Sequence, residues 1–555
     1  MTAAAGRVST AQPGARGAQD RPGGSARRTA VAALAGLALG LLALGPGLRP
    51  GYLLAYDMVF VPDPRFDATM FGLTGTLPRA VPSDAVVTAL AHLLPADVIQ
   101  KGILLAIFVL ACAGAARLLD REPWPARLAA GVFYAWNPYV AERLLIGQWA
   151  LLLGYAGLPW VLGVLAGRGS RRALLLALLP AAVGGFAALL VTALVALPAA
   201  ALRPASLRDR GAALGATAGL LVLASLPWLV PSLTRPTASS PAAAALFAAR
   251  ADTPFGTVGS VVMLGGGWNA QTVPAGYAGP VTAFWLFLVV VGLAGFVLRG
   301  RGRWPGAGPA AVAGLVLALL GAFGPGLHLL EWAIRGFGGF AALRDGQQFV
   351  APLALVEAAG FGLAVSWVLR AARSPVVRDG RVALAAALVI APVAFLPGLA
   401  FGAAGRLHPV EYPASWLTAR RIITDDRQPG SVLLLPWASY RRPGWNHGDA
   451  VLDLWPQLLT RTVIWNDGVQ VGSVVLPPED PAAAALTGLI ESGRPLTARL
   501  VAARVRYVIV DAGPGVAAGS GSSTARREGL RWAARVLPGC PIAYSAPGLV
   551  VYRIR

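Results

Sequence analysis

Apolar runs of about 20 residues recur along the chain, separated by short arginine-rich connections, and such runs fit the thickness of a bilayer core. Candidate spans lie at 29–48, 102–116, 128–140, 149–167, 173–185, 187–202, 211–231, 279–298, 309–325, 350–369 and 382–403. Composition agrees: 56% of residues are hydrophobic and 13% are charged, against about 25% charged in soluble domains. No single water-exposed domain buries that much apolar surface, so the fold class is a polytopic α-helical membrane protein of about 10–11 transmembrane helices. The short runs at 173–185 and 187–202 meet at Gly184-Gly185 and read as a hairpin. The first run is longer than a signal-peptide core and no A-x-A site follows, which predicts a retained helix. The Gly/Ala/Ser/Pro-rich residues 1–28 before it read as a disordered cytoplasmic tail.

Arginine sets the expected orientation. Alternate connections hold Arg117, Arg121 and Arg127; Arg168, Arg171 and Arg172; Arg203, Arg208 and Arg210; Arg299, Arg301 and Arg303; and Arg370, Arg373, Arg378 and Arg381. The positive-inside rule places these clusters in the cytoplasm, with the N-terminus. The loops at about 50–101, 232–278 and 326–349 then face outward, as does everything after residue 405. The net charge of +21, with one lysine among 47 basic residues, follows these topology signals and a GC-rich coding bias rather than a nucleic-acid interface.

Residues 29–405 thus form the membrane domain and 406–555 a second, extracytoplasmic one. In the latter, Ser431–Trp437, Thr462–Gly468, Arg506–Ala512 and Leu549–Ile554 have strand character. Asp480–Ser492 and Leu496–Arg504 have helical character between them, which predicts a small α/β domain. Gly513–Thr524 reads as a loop; it lacks the GK[ST] ending of a phosphate loop. The four histidines are not at metal-ligand spacing, no G-x-S-x-G elbow occurs, and Cys112 and Cys540 fall in different compartments, so no disulfide is expected.

Chemistry concentrates in the first outward loop, LLAYDMVFVPDPRFD, where Asp57, Asp63 and Asp67 stand together in a chain of only 26 acidic residues. A carboxylate at the membrane surface can take a proton from an acceptor hydroxyl. Asp-Pro also starts turns, and Arg65 can pair with Asp63 or Asp67. In WNPYVAERLLIGQW, Asn137-Pro138 should break a helix, Trp136, Tyr139 and Trp149 suit an interfacial belt, and Glu142 and Arg143 are cavity candidates. RGFGGFAALRDGQQF brings Arg344 and Asp345 to a helix end, where a guanidinium fork suits a phosphate. Glu357 lies within the following span, where an ionisable group faces a cavity or a partner. Asp252 before Thr253-Pro254 reads as a helix N-cap.

This plan resembles the GT-C glycosyltransferases, in particular actinobacterial arabinofuranosyltransferase-like membrane proteins. The residues that carry the resemblance are the early Asp57 after the first span, the NPY break at 137–139, the LRDGQQF turn at 343–349 and the C-terminal α/β region. The resemblance is one of plan over roughly residues 29–403. It implies a lipid-linked donor such as a polyprenyl-phosphate sugar, an envelope glycan or glycolipid acceptor at the outer face of the cell membrane, and a first-loop acid as base. Asp57 is the natural match, with Asp63 and Asp67 in reserve. Arg344, with Arg143, would contact the donor phosphate; Glu142 and Asp345 would line the acceptor cavity; Trp437 and Trp445, with Tyr440 and Trp465, would stack on sugars. The first loop departs from the family's pattern in having no His or Lys close to its acids. The residues settle no cofactor: an Asp-rich loop can hold Mg²⁺ or Mn²⁺, but no ligand spacing demands one. Two other functions fit the same plan: a non-catalytic membrane assembly factor, and a transporter or flippase for a lipid-linked sugar, which would need polar spans and repeats that are not evident.

Overall fold

The computed structural model describes residues 22–74, 78–167, 169–234, 240–371, 375–471, 474–511 and 523–554. Most of the expected N-terminal tail and of the loop Gly513–Thr524 lies outside them. The apolar runs are helices: α1 (Pro22–Leu44), α2 (Ala96–Leu118), α3 (Trp124–Ala135), α4 (Pro138–Leu145), α5 (Trp149–Ala166), α6 (Arg171–Gly184), α7 (Phe186–Ala201), α8 (Leu207–Thr234), α9 (Thr282–Gly295), α10 (Ala307–Leu320), α11 (Gly324–Gly336), α12 (Ala351–Arg370) and α13 (Pro375–Phe395). Among the described residues six helices are long and apolar enough to cross a membrane, and seven if α10 and α11, bent by 88°, count as one span. The expected 10–11 is reached only with the shorter α3, α6, α7 and α13. The protein is a multi-pass membrane protein, with the 173–202 region an α6–α7 pair broken at Gly185.

Helix α12 is the buried spine: its residues from Ala351 to Leu363 all lie inside the protein. It packs on α9 at a distance only small residues allow. A Cβ on Gly360 would stand 1.9 Å from the Gly292 carbonyl oxygen, the small-residue packing that brings membrane helices together. At one end of the bundle three connections converge on Glu122, whose carboxylate takes Arg303 at 2.6 Å, Arg370 at 2.8 Å and the Ser366 hydroxyl. Three arginine-bearing connections therefore share one end, as the sequence pattern requires.

The other end carries the C-terminal region. Its five-stranded sheet comprises β1 (Ser431–Leu435), β2 (Val463–Ile464), β3 (Val505–Asp511), β4 (Ile542–Ala546) and β5 (Leu549–Arg553), in the order β4-β5-β3-β1-β2. β1 runs parallel to β2 and β3, and β5 runs antiparallel to β3 and β4. Alternation along a strand sends successive side chains to opposite faces. Val432, Leu434, Tyr507 and Ile509 pack with Trp416, Ala419 and Ile423 of the helix Ala414–Asp425. Leu433, Leu435, Val508 and Val510 pack with Ala483, Leu486 and Ile490 of the helix Pro481–Glu491. The expected α/β architecture is thus present, with β4 and the helices Ala414–Asp425 and Ser523–Val536 added to the elements read from sequence. Leu54, Val59 and Val61 of the first loop join the first of these cores, and Tyr52–Leu53 pairs antiparallel with Pro409–Val410. The loop bearing Asp57 is therefore built into the C-terminal region.

Candidate functional site

The backbone at Asp57 is held by two segments, the corner at Ile146 and the stretch 450–452. The Asp57 N–H donates to Ile146 O at 3.0 Å; the Tyr56 N–H donates to Ala450 O at 2.7 Å; and Tyr56 O accepts from Leu452 N at 2.9 Å. Tyr56 itself has φ of 45°, a left-handed conformation that costs a non-glycine residue energy and that these two flanking bonds maintain. Gly147 makes the close approach feasible: its φ is +83°, and a Cβ there would lie 2.2 Å from Met58 N and 2.4 Å from Ala55 O. Gly147→Ala is expected to destabilise the protein by at least about 1–3 kcal/mol, seen as a lower melting temperature and loss of any activity that depends on Asp57. An unchanged melting temperature would show that the corner has room the geometry denies.

The Asp57 carboxylate accepts from the Tyr440 hydroxyl at 2.5 Å and from the Gln148 amide at 3.5 Å. Burial pushes its pKa above the ordinary 3.8, against the lowering effect of the Tyr440 and Gln148 hydrogen bonds and of Arg79. A carboxylate so raised is a better proton acceptor near neutral pH than one in water.

From Asp57 the polar network runs along the α4–α5 corner. Gln148 accepts from Arg143 at 2.5 Å, and Arg143 grips Asp345 with two bonds of 2.6 and 3.0 Å. Arg143 also donates to Gln347 through two nitrogens. Its side chain is 3% exposed. The expectation that Arg143 meets a donor phosphate does not fit this geometry, because its guanidinium is spent on Asp345, Gln347 and Gln148. Arg143 is a strut.

Arg344, next in chain to Asp345, is differently placed. It lies over the Phe247 ring at 4.8 Å and 3.7 Å from Glu479. Burial and the neighbouring Arg79 pull its pKa down to about 10. Arg79, from the first loop, binds Glu479 at 2.5 and 2.7 Å and is within electrostatic reach of both Asp57 and Arg344. Asp57, Arg344 and Asp345 therefore belong to one polar cluster, to which the structure adds Arg79, Gln148, Tyr440 and Glu479.

The remaining candidates are dispersed. Asp63 is exposed and in left-handed backbone, its carbonyl bound by Arg420. Asp67 accepts from Met70 N at 3.0 Å in a short 3₁₀ turn; it neighbours Asp84, whose pKa is pushed up to about 7 by burial and by Asp67. Both shape the first loop away from Asp57. Glu142 is buried and accepts from Gly267 N at 3.1 Å, and burial together with the neighbouring Asp252 pushes its pKa well above the ordinary 4.5. Asp252 is not the expected cap: the helix Gly256–Val262 starts after Phe255, and Asp252 instead accepts from Gly266 N at 2.6 Å and pairs with Arg250. Asn137 does break the helix, capping α4 by accepting from Val140 N at 3.0 Å. Trp136, Tyr139 and Trp149, expected in an interfacial belt, are at most 5% exposed. Trp136 donates to Leu396 O and Tyr139 to Gln348 O, partners that protein rather than interfacial water supplies. Trp445 packs between Tyr412 and Trp416, and Trp437 donates to Thr487; these positions suit core packing rather than sugar stacking. Glu357 is fully buried in α12. Among the described residues no group of three or more His, Cys, Asp or Glu could hold a metal ion.

No protein-family model matches the chain, and no curated protein matches it. Among solved structures it is similar to the arabinofuranosyltransferase AftD from Mycobacteria, determined by cryo-EM as the R1389S mutant. The TM-score is 0.59 and the identity 21%, over 95% of this chain and 41% of that one. The chain thus spans less than half the length of this neighbour and shares its fold over 95% of its own length.

Proposed function

We propose that the protein is an integral membrane glycosyltransferase that moves a sugar, arabinofuranose being the first candidate, from a polyprenyl-phosphate donor to an envelope glycan or glycolipid. The observation that carries this reading is the cluster itself. A part-buried carboxylate of raised pKa, Asp57, stands in one polar network with Arg344 and Arg79, at the end of the bundle opposite the Glu122 arginine junction.

The chemistry follows from those groups. The acceptor hydroxyl oxygen attacks the anomeric carbon as its proton passes to Asp57, which Tyr440 and Gln148 hold in place. The bond from the anomeric carbon to the phosphate oxygen breaks, and the electron pair leaves with the polyprenyl phosphate. Phosphate is a good leaving group, so a base and positive charge suffice where glycosidases need two carboxyl groups. Arginine opposite the departing oxygen stabilises the charge that develops there. The lipid tail reaches this end of the bundle from the bilayer, and the site faces outward if the arginine junction is cytoplasmic.

The test is transfer by the full chain in nanodiscs, given farnesyl-phosphate sugars that include β-arabinofuranose, with release of farnesyl phosphate as the readout. Release that requires an acceptor is expected. No release with any sugar or acceptor, from folded protein, overturns the reading and favours a membrane assembly factor.

A further inference from the structure

Glu479 reaches from the C-terminal region to two arginines of the membrane domain, a place where a phosphate would also fit. It lies in the segment Pro477-Pro478-Glu479-Asp480, just ahead of the helix Pro481–Glu491, which Asp480 caps by accepting from Ala482 N at 3.0 Å. Asp467 fixes this segment from below, accepting the backbone N–H of Glu479 and of Asp480 at 3.1 Å each. The fixed backbone aims the Glu479 side chain across to the membrane domain, where both of its oxygens meet Arg79, at 2.5 and 2.7 Å, and one lies 3.7 Å from Arg344.

The convergence of two arginines makes the contact informative. Arg143 is engaged with Asp345 through two bonds, while Arg79 and Arg344 both turn to Glu479, with Asp57 and Asp467 acting on Arg79 from farther away. Two guanidinium groups that converge on one carboxylate form a cradle that the oxygens of another anion can enter. A phosphodiester donor brings one negative charge, and the monoester released after transfer brings between about 1.5 and 2. Guanidinium forks match phosphate oxygens in geometry as well as charge. Phe247 lies against the Arg344 guanidinium at 4.8 Å, and Glu479 approaches one of its terminal nitrogens at 3.7 Å.

We propose that Arg79 and Arg344 form the phosphate site of the lipid-linked donor, and that Glu479 occupies it as an internal stand-in which the donor displaces and which returns as the product phosphate leaves. This rests on the transferase reading above for the donor's identity; the anion site itself does not. The carboxylate keeps the two arginines from repelling each other in the empty protein. It also makes the C-terminal region sense occupancy, because the segment carrying Glu479 is also held by the residues that follow β2.

The experiment is direct binding of farnesyl phosphate to the full chain in nanodiscs, with farnesol and inorganic phosphate as the comparison probes. Glu479→Gln is expected to bind farnesyl phosphate about tenfold more tightly than wild type, the factor released when one charge-assisted contact no longer competes. Farnesol binding should not change, and Arg344→Gln should remove the gain. Glu479→Asp, which draws the carboxylate back by one methylene, should shift affinity the same way by less, and serves if the glutamine variant is unstable. Equal or weaker farnesyl phosphate binding by both Glu479 variants overturns the stand-in, even in a protein that transfers sugar. Inorganic phosphate binding as tightly as farnesyl phosphate overturns the lipid assignment. Tighter binding by Glu479→Gln in a protein that transfers no sugar keeps the anion site and removes only the transferase.

Discussion

Asp57→Asn is expected to lower sugar transfer by about 10²–10⁴-fold, the range for removing a positioned general base, equivalent to about 3–5.5 kcal/mol of barrier. Asparagine keeps the shape and can still accept from Tyr440, so the corner at Ile146–Gln148 should remain assembled. Stability offers a control of opposite sign. The folded-state pKa of Asp57 lies above the ordinary 3.8, so as pH rises the unfolded chain releases this proton first. The group therefore costs stability as pH climbs from that value through its raised folded value, and the loss is complete above it. At pH 7 the asparagine variant should melt no lower than wild type while losing activity. Wild-type activity should rise with pH through the same raised pKa, and that acid limb should vanish from whatever rate remains in the variant. Asp63→Asn and Asp67→Asn should leave transfer within a few-fold of wild type, since neither carboxylate belongs to the cluster. Full activity in all three variants, measured with a lipid-linked donor, would remove the first-loop base altogether.

How much of this was legible in the sequence differs by residue, for physical reasons. The membrane class, the broken helix at Asn137-Pro138 and the place of α6 and α7 follow from hydropathy and backbone chemistry, which act locally. Asp57 and Arg344 could be singled out because each is a charged group beside a long apolar run, where charge is costly enough to be informative. Tyr440 and Glu479 carried no such mark. Tyr440 lies 383 residues from Asp57 and Glu479 lies 400 from Arg79, and only the folding of the C-terminal sheet onto the first loop brings them together. Arg79 sat unremarked within a loop already read as outward. Trp136 and Tyr139 were misplaced because hydropathy cannot distinguish a ring facing lipid from one packed between helices with its polar atom bound to a backbone carbonyl. Asp252 shows tertiary context overriding a local cap: the Asp-Thr-Pro pattern fits a helix start, yet the Gly266 N–H and Arg250 claim the carboxylate.

Arg143 gives the second large effect, on stability first and activity second. Its guanidinium and the Asp345 carboxylate form a pair with 3% and 17% of their side chains exposed. Removing one partner of such a pair leaves a charge without its counterion in a poorly solvated place, at a cost of about 3–5 kcal/mol. Arg143→Gln should therefore lower the melting temperature clearly, and Asp345→Asn should do so less because Asp345 is the more exposed. The double variant should cost less than the two single losses added, since no unpaired charge remains; the shortfall measures the coupling. Activity should follow a different rule. Gln148 is bound to Arg143 on one side and reaches Asp57 on the other, so restoring the charge balance restores the fold without restoring the strut. The double variant is expected to regain stability while remaining impaired in transfer, with the donor KM moved less than kcat. A donor contact at Arg143 predicts the reverse, a large rise in KM with stability hardly changed, and a purely additive double variant would show that the two charges are not coupled as their geometry requires.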